Sequence, residues 1–528
     1  MRIMKASRDL IAYNDLRRII IDPGFCNLCG ACESACPVHA LKIENRRLNY
    51  THDCTNFMEF CPICYDICPF TEALLLETLG FVANAPNRAE SIGYYRRILL
   101  AQAVDEKLRN LSHSGGVVTA LLMHAIKTGF IDSAITSERG KETPIMVRPT
   151  LSLVPDDLLS AVDCEYFPSS VAMAFGRAVH EYGKAKIAFV GTPCQVRAIR
   201  KLEAWEHKIM NSLRIVIGLT CLWSFSFPEL TQFLKESYGI EVSDILRIDM
   251  DGKYKVSLKN GKIKAISIPE IKAHTLSVCR MCEDFTSELA DISVGGAHPL
   301  KDWSIVIIRT ETGEEIFEEA VKAGVIRTRK IEEKPNVYAH FVRMGLLKRK
   351  YAIEEIERRK KCGEPVPPVS TRLLELLPRE ISLLSSLKAE HIMTKKVMTV
   401  TPETTLDELL TIMTRHHHMG YPVVDDEGKL FGIVTFDDIS KVPASRRGEV
   451  LVKEVARKKL ITAYPDSSVM EIYEKMSRHK IGRILIVDRK DRRKLLGIIT
   501  KTDIMPVSYT HLRAHETEAD LVCRLLLE

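Results

Sequence analysis

The chain has 528 residues, 46% of them hydrophobic and 27% charged, which is ordinary for soluble globular protein and enough for about three or four domains. Its 75 Lys and Arg against 69 Asp and Glu leave a net charge of +6, a mild excess that admits anionic small ligands or acidic protein partners and argues against nucleic acid. No apolar run reaches the roughly eighteen residues of a membrane span, and the opening MRIMKASRDL lacks the apolar core of a signal peptide, so a cytoplasmic location is expected.

Residues 1–80 are expected to form a small cysteine-rich domain. Of the 15 cysteines, eight lie between Cys26 and Cys68. In a long chain without an export signal, that density reads as metal binding rather than disulfides. Cys26, Cys29, Cys32 and Cys36 are spaced C-x2-C-x2-C-x3-C and followed by Pro37, the bacterial ferredoxin run. A second run, Cys54, Cys61, Cys64 and Cys68 before Pro69, departs from it by a longer first gap. In the crossed pattern of such pairs, Cys26, Cys29, Cys32 and Cys68 hold one 4Fe–4S cluster, and Cys54, Cys61, Cys64 and Cys36 the other. A pair of zinc sites is the competing reading, but zinc favours two C-x2-C knuckles separated by a longer loop.

Residues 85–345 alternate helix-like and strand-like segments, with parts at about 85–165 and 166–345. The stretch VVTALLMHAIKTG is amphipathic, while KIAFVG and LRIVIGLTC have buried-strand character. Ser114, Gly115 and Gly116 open the helical stretch, where glycines let backbone N–H groups approach a phosphate; such a run is more often a plain cap and turn. Gly191-Thr192-Pro193 follows a strand and offers a second ligand loop. Cys194, Cys221, Cys279 and Cys282 are scattered; by spacing alone they are either metal ligands or buried core cysteines. Cys164 and Cys362 have no evident partners. Arg197, Arg200 and Lys201 follow GTPCQ on an expected helix, as a solvated face or an attractor for an anionic ligand.

Residues 346–387 run from the charged helical pattern EEIERRKK into CGEPVPPVST and are expected to be a linker. From 388 to 505 a repeat appears: VMTVTPETTLDELL and YPVVDDEGKLFGIVTFDDI are echoed by LITAYPDSSVMEIY and ILIVDRKDRRKLLGIITKTDI, with Pro402 matching Pro465 and Asp438 matching Asp503. His416, His417 and His418 precede a strand and are expected in a polar loop or helix end. VSYTHLRAHET at 507–517 matches a reading-frame translation of a common sequencing adapter, so residues 507–528, with Cys523, are expected to be an artefact.

On SGGVVTALLMHAIKTGFID, VGTPCQVRAIRKL, IGLTCLWSFSFPELTQFL and CRMCEDFTSELADISVGG, the middle region resembles the coenzyme F420 hydrogenase/dehydrogenase beta-subunit family. The resemblance implies FAD and hydride exchange with the deazaflavin coenzyme F420. It implies a third 4Fe–4S cluster on Cys194, Cys221, Cys279 and Cys282, and FAD contacts from Ser114, Gly115, Gly116 and Thr119, with Gly191 and Thr192. A two-cluster segment fused to this core looks like the electron-input subunits of deazaflavin dehydrogenases. A flavin trades hydrides on one side and single electrons on the other, so it belongs between the coenzyme and the clusters. The repeat resembles a tandem CBS pair on Gly432, Thr435 and Asp438 and on Gly497, Thr500 and Asp503. That implies an adenine nucleotide held by Thr435, Asp438, Thr500 and Asp503, a carboxylate accepting from ribose hydroxyls; a purely structural dimerisation module is the alternative.

The expected architecture is therefore multidomain α/β and α+β: a ferredoxin-like iron–sulfur domain, a mixed α/β flavin-binding core, and a tandem β-α-β CBS module with copies at 388–446 and 451–506. The expected function is an F420 oxidoreductase working with a ferredoxin or a hydrogenase, dehydrogenase or reductase subunit, and dimerising through the CBS pair. The alternatives are a ferredoxin-dependent reductase of another substrate and a non-catalytic electron-transfer or energy-sensing subunit. No hydrolytic triad or paired carboxylate stands out, and no catalytic residue is assigned.

Overall fold

The structure is a computed structural model that describes residues 12–54, 61–89, 91–112, 114–140, 146–160, 167–250, 253–369, 388–416, 420–479, 481–500 and 503. The chain divides into two compact units, Met1–Thr371 and Arg372–Glu528.

The first unit is built on an eight-stranded mixed sheet. Its strands are β1 (Arg97–Ala103), β2 (Ser133–Arg139), β3 (Val147–Ser152), β4 (Ile187–Gly191), β5 (Leu213–Leu219), β6 (Ile292–Gly296), β7 (Ser304–Ile308) and β8 (Ile326–Lys330). Their spatial order is β8-β1-β7-β6-β5-β4-β2-β3. β4 and β7 are buried at every position, as expected of apolar runs in a sheet covered on both faces. β2, β4, β5 and β6 pair in parallel, and β1 shares their direction through antiparallel β7. All five therefore end on one edge of the sheet, where ligand loops of α/β folds gather.

Helices α1 (Val117–Lys127), α2 (Val171–His180), α3 (Pro193–Ala204) and α4 (Glu311–Lys322) flank the sheet. α3 starts sharply because Pro193 occupies the first turn and Thr192 with Gln195 forms a capping box. A core of Leu121, Ile217, Val306 and Phe317 with their neighbours closes around the sheet.

Two expected boundaries change. Residues 346–361, expected as linker, lie inside α5, a single helix over Pro335–Lys361 that buries Val337, Phe341, Lys348, Arg349, Ala352 and Ile356. The cysteine-rich segment, expected as a separate domain, is part of the first unit. Leu16, Ile20, Phe25 and Phe70 share one apolar cluster with Val278, Met281 and Ile356, packed against Cys26, Cys68, Cys194 and Cys279. Backbone close approach locks the join: a Cβ on Gly30 (φ +89°) would sit 2.7 Å from the Met173 nitrogen. Ser34 Oγ donates to the Ala172 carbonyl at 2.6 Å, and Ser170 Oγ to that of Leu28 at 2.7 Å.

In the second unit, hairpin β9 (Gly420–Val424) and β10 (Leu430–Thr435) follows helix α6 (Leu406–His416), and β11 (Arg483–Val487) and β12 (Leu495–Thr500) follow α7 (Val469–Arg478). Each copy's leading helix packs into the other copy. Ala389 and Ile392 join the second core with Ile472 and Ile486, while Val452 and Val455 join the first with Leu409 and Val423. His416 ends α6; His417, His418, Cys164 and residues 507–528 lie outside the described residues.

Candidate cofactor sites

The twelve cysteines singled out in the sequence gather into three groups, and none forms a disulfide. The first lines a cavity at the sheet's carboxyl edge. Cys194 sits in the first turn of α3, Cys221 just beyond β5, and Cys279 and Cys282 on and after the turn Ser277–Met281. All four thiols face this cavity, with Trp223 and Lys348. Gln195 fixes Cys194: its Oε1 accepts from Thr192 N at 2.7 Å and its Nε2 donates to Ser169 O at 2.8 Å. The Cys221 amide donates to Phe285 O at 3.0 Å, tying that loop to the Cys282 segment.

In the second group, Cys29 and Cys32 each lie near Cys26 and Cys68, with Cys64 also near Cys32. In the third, Cys61 and Cys64 both feel Cys36 and Cys54. Both cysteine runs contribute to each of these neighbourhoods. The groups also stand in series. Asn27 Nδ2 donates to Cys194 Sγ at 3.0 Å, linking the second group to the first, and Cys64 feels Cys68 across the join to the third. The third group borders the surface, where exposed Thr51, His52 and Asp53 lead to half-buried Cys54.

Burial pushes the Cys68 and Cys279 thiols up to about 12, so within a bare protein fold they are neutral. A bound metal centre ionises such thiols, and the donors already aimed at sulfur support the thiolate: Ser224 N to Cys279 Sγ at 3.4 Å, Ala40 N to Cys36 Sγ at 3.2 Å, and Tyr50 Oη to Cys54 Sγ at 3.3 Å. Among the described residues no three Cys, His, Asp or Glu side chains converge on a point suited to one ion. A four-iron core takes one thiolate per iron, so its ligands surround it rather than converge. Thiols gathered four to a group are the donor set that 4Fe–4S clusters take.

The expected flavin loops share the carboxyl edge but are not adjacent. Ser114–Gly116 follows β1 and Gly191–Thr192 follows β4, four strand spacings apart, on the order of 19 Å. The two glycines of the first loop have structural work. The Gly115 N–H donates to Ser304 Oγ at 3.0 Å and its carbonyl accepts from Ala103 N at 2.7 Å; a Cβ there would lie 2.8 Å from Ala101 O. Gly116 turns the chain into α1 at φ +67°. Thr119 is half-buried in the first turn of α1. Thr192 Oγ1 lies 3.5 Å from Cys194 Sγ, so the second loop touches the core cysteine cavity directly.

Arg200 and Lys201 of the basic run after GTPCQ turn inward to partners within the fold rather than forming a solvated face. Arg200 is buried against Asp291 (2.9 Å) and Glu203 (2.6 Å), and Lys201 Nζ donates to Cys68 O at 2.6 Å and Thr71 O at 2.8 Å. Arg197 reaches Pro69 O at 3.4 Å. Sequence reasoning missed Asn27, Lys201 in its actual role, Tyr50 and Lys348. Only Asn27 carried a signal, since it lies inside a C-x2-C loop that must turn inward.

In the second unit, Thr435 and Asp438 cap the helix Phe436–Ser440: Thr435 Oγ1 donates to Asp438 Oδ2 at 2.7 Å. Thr500 repeats this with Asp503 at 2.7 Å. The copies differ at Arg457, whose Nε and Nη2 donate to Asp438 Oδ1 at 2.9 and 2.8 Å.

Residues 98–175 match the family model for the coenzyme F420 hydrogenase/dehydrogenase beta subunit N-terminus, and 184–334 that for its C terminus. The chain is 31% identical over 277 residues to the coenzyme F420 hydrogenase subunit beta of Methanococcus voltae, covering 52% of this chain and 99% of that one.

The chain belongs to the coenzyme F420 hydrogenase/dehydrogenase beta subunit family.

Two further similar proteins carry coenzyme F420 in their names. A chain of the F420-reducing [NiFe] hydrogenase complex from Methanosarcina barkeri superposes with a TM-score of 0.51 at 25% identity, covering 54% of this chain and 100% of that one. The coenzyme F420-dependent sulfite reductase of Methanocaldococcus jannaschii is 28% identical over 363 residues, 66% of this chain and 52% of that protein. Residues 19–42 match a 4Fe-4S binding domain, and 389–445 and 452–508 each match a CBS domain. Among the described residues no helix is long and apolar enough to cross a membrane.

Proposed function

We propose that this protein passes electrons between coenzyme F420 and a partner redox protein through FAD and three 4Fe–4S clusters, under control of an adenine nucleotide at the CBS pair. The observation that carries the reading is the serial order of the three cysteine groups, from a cavity at the ligand edge of the sheet to an exposed rim. FAD, when bound, links a two-electron hydride carrier to one-electron centres. The chain's own residues do the rest. Cys194, Cys221, Cys279 and Cys282 hold the core cluster, Cys26, Cys29, Cys32 and Cys68 the next, and Cys36, Cys54, Cys61 and Cys64 the outermost. The first turn of α1, with Ser114 and Thr119, receives the flavin phosphates, and the Gly191–Thr192 loop brings the ring side toward Cys194. Thr435, Asp438, Thr500 and Asp503 read the ribose of the nucleotide; Arg457 must release Asp438 when it binds. The CBS pair also makes the homodimer contact, and a partner subunit docks beside the exposed 51–53 segment.

Anaerobic purification with metal and flavin counted per chain tests this: about twelve irons and one FAD are expected. Rapid mixing with reduced F420 should restore the deazaflavin absorbance while cluster absorbance bleaches. Fewer than three clusters, or clusters that stay oxidised with F420 present, would count against it. A second reading gains support from the sulfite reductase relative, whose similarity runs over 363 residues and so beyond the 85–345 core: the electrons go on to reduce a small oxyanion bound by a partner. The acceptor consumed under steady turnover separates the two.

A further inference from the structure

Lys348 lies near the middle of α5, 7% exposed, in the wall of the core cysteine cavity. Its Nζ donates at 2.6 Å to the carbonyl of Cys221 and at 2.6 Å to that of Asp284, two residues past Cys282. Among the described residues its ammonium makes no ion pair with a carboxylate. The nearby acids are otherwise engaged: Asp284 Oδ1 accepts from Thr286 N at 3.1 Å and Oδ2 from Glu288 N at 3.1 Å, and Glu288 pairs with Arg349 at 3.1 Å. Burying a lone ammonium among carbonyls is costly, and a fold keeps one where a negative group compensates it. The cavity it faces supplies four thiols and no carboxylate.

We propose that Lys348 is the fixed counter-charge of the core cluster, a positioning residue that raises the cluster's reduction potential and makes it the ready acceptor of electrons from the flavin. This rests on the assignment of a cluster to Cys194, Cys221, Cys279 and Cys282. Reduction adds one electron to a centre that is already anionic and takes up no proton. A nearby buried ammonium stabilises that added charge, and a neutral side chain in its place does not.

The test uses the full-length, cluster-loaded protein and redox titration followed by EPR, with dithionite as reductant. Iron and sulfide counts on the wild type come first: an absent third cluster overturns the cluster assignment and this proposal together, before any variant is made. The core signal is identified as the one missing from C194S. Lys348→Gln keeps donors for the two carbonyls without the charge; Lys348→Arg keeps the charge. In K348Q with undiminished iron, the reduced-to-oxidised ratio of the core cluster at the wild-type midpoint should fall about tenfold, with the other two signals unmoved. K348R should stay within about twofold of wild type. An unmoved core midpoint in K348Q overturns the proposal. So does loss of the core cluster from K348Q, which would make Lys348 a structural clamp, and so does an equal shift of all three signals.

Discussion

Cys68 stands beside Pro69 at the end of the second cysteine run, yet its neighbours in space include Cys26, Cys29 and Cys32 of the first. Cys68→Ser should therefore remove the cluster of the first run and leave that of Cys61 and Cys64. The iron count should drop by about four per chain with the outermost signal retained. Arg200 makes a different case. With 4% of its side chain exposed, it faces Asp291, whose Oδ2 accepts from Val216 N at 2.7 Å. Arg200→Met leaves that carboxylate buried without its cation and should cost about 3–5 kcal/mol in chemical denaturation while leaving the KM for F420 unchanged. The spacing of the first cysteine run made the 4Fe–4S binding segment legible, because ligand geometry is written into short gaps. The roles of Lys201, Lys348 and Arg200 were not legible: a basic residue on a helix looks the same in sequence whether it meets water or, as Lys201 does, carbonyls 130 and 133 residues away. Only tertiary packing separates the two.

Helix α5 shows how an element can be misplaced by composition. Its second half, YAIEEIERRKK, reads as a charged spacer, yet Ala352 and Ile356 are buried and the charges pair along the helix. Arg359 Nε meets Glu355 at 2.8 Å and its Nη2 donates to Ser277 Oγ at 3.0 Å, pinning the helix to the turn that carries Cys279. The guanidiniums of Arg358 and Arg359 hold the Glu355 carboxyl down to about 2. A carboxylate whose pKa is depressed on folding stabilises above its unfolded value, and that contribution fades as pH falls toward the folded one. The stability gap between wild type and E355Q, at most about 1 kcal/mol at neutral pH because Arg358 is half exposed, should shrink from about pH 4.5 downward and also in high salt. Thermal melts across pH and ionic strength check it. The repeat in the second unit was easier to read. Its β-α-β period and its two Thr–Asp pairs lie within single local segments, but the crossing of the leading helices into the opposite copy leaves no local trace.

At the scale of the molecule, the division near residue 371 separates everything that carries cysteine ligands from the paired CBS copies. On the proposed function, a chain ended at Thr371 should keep iron, flavin and F420 turnover and lose any response to adenine nucleotides; activity with and without AMP or ATP, in both lengths, reads this directly. A truncated chain that loses iron would contradict the division. The expected border between cysteine-rich segment and core does not exist as a seam, because Phe25, Phe70, Val278 and Ile356 belong to a single apolar cluster. An iron–sulfur segment stitched into the body in this way cannot leave as a diffusing courier. Its outermost cysteines are a doorstep fixed in place, and traffic through it is set by which visitor fits the threshold.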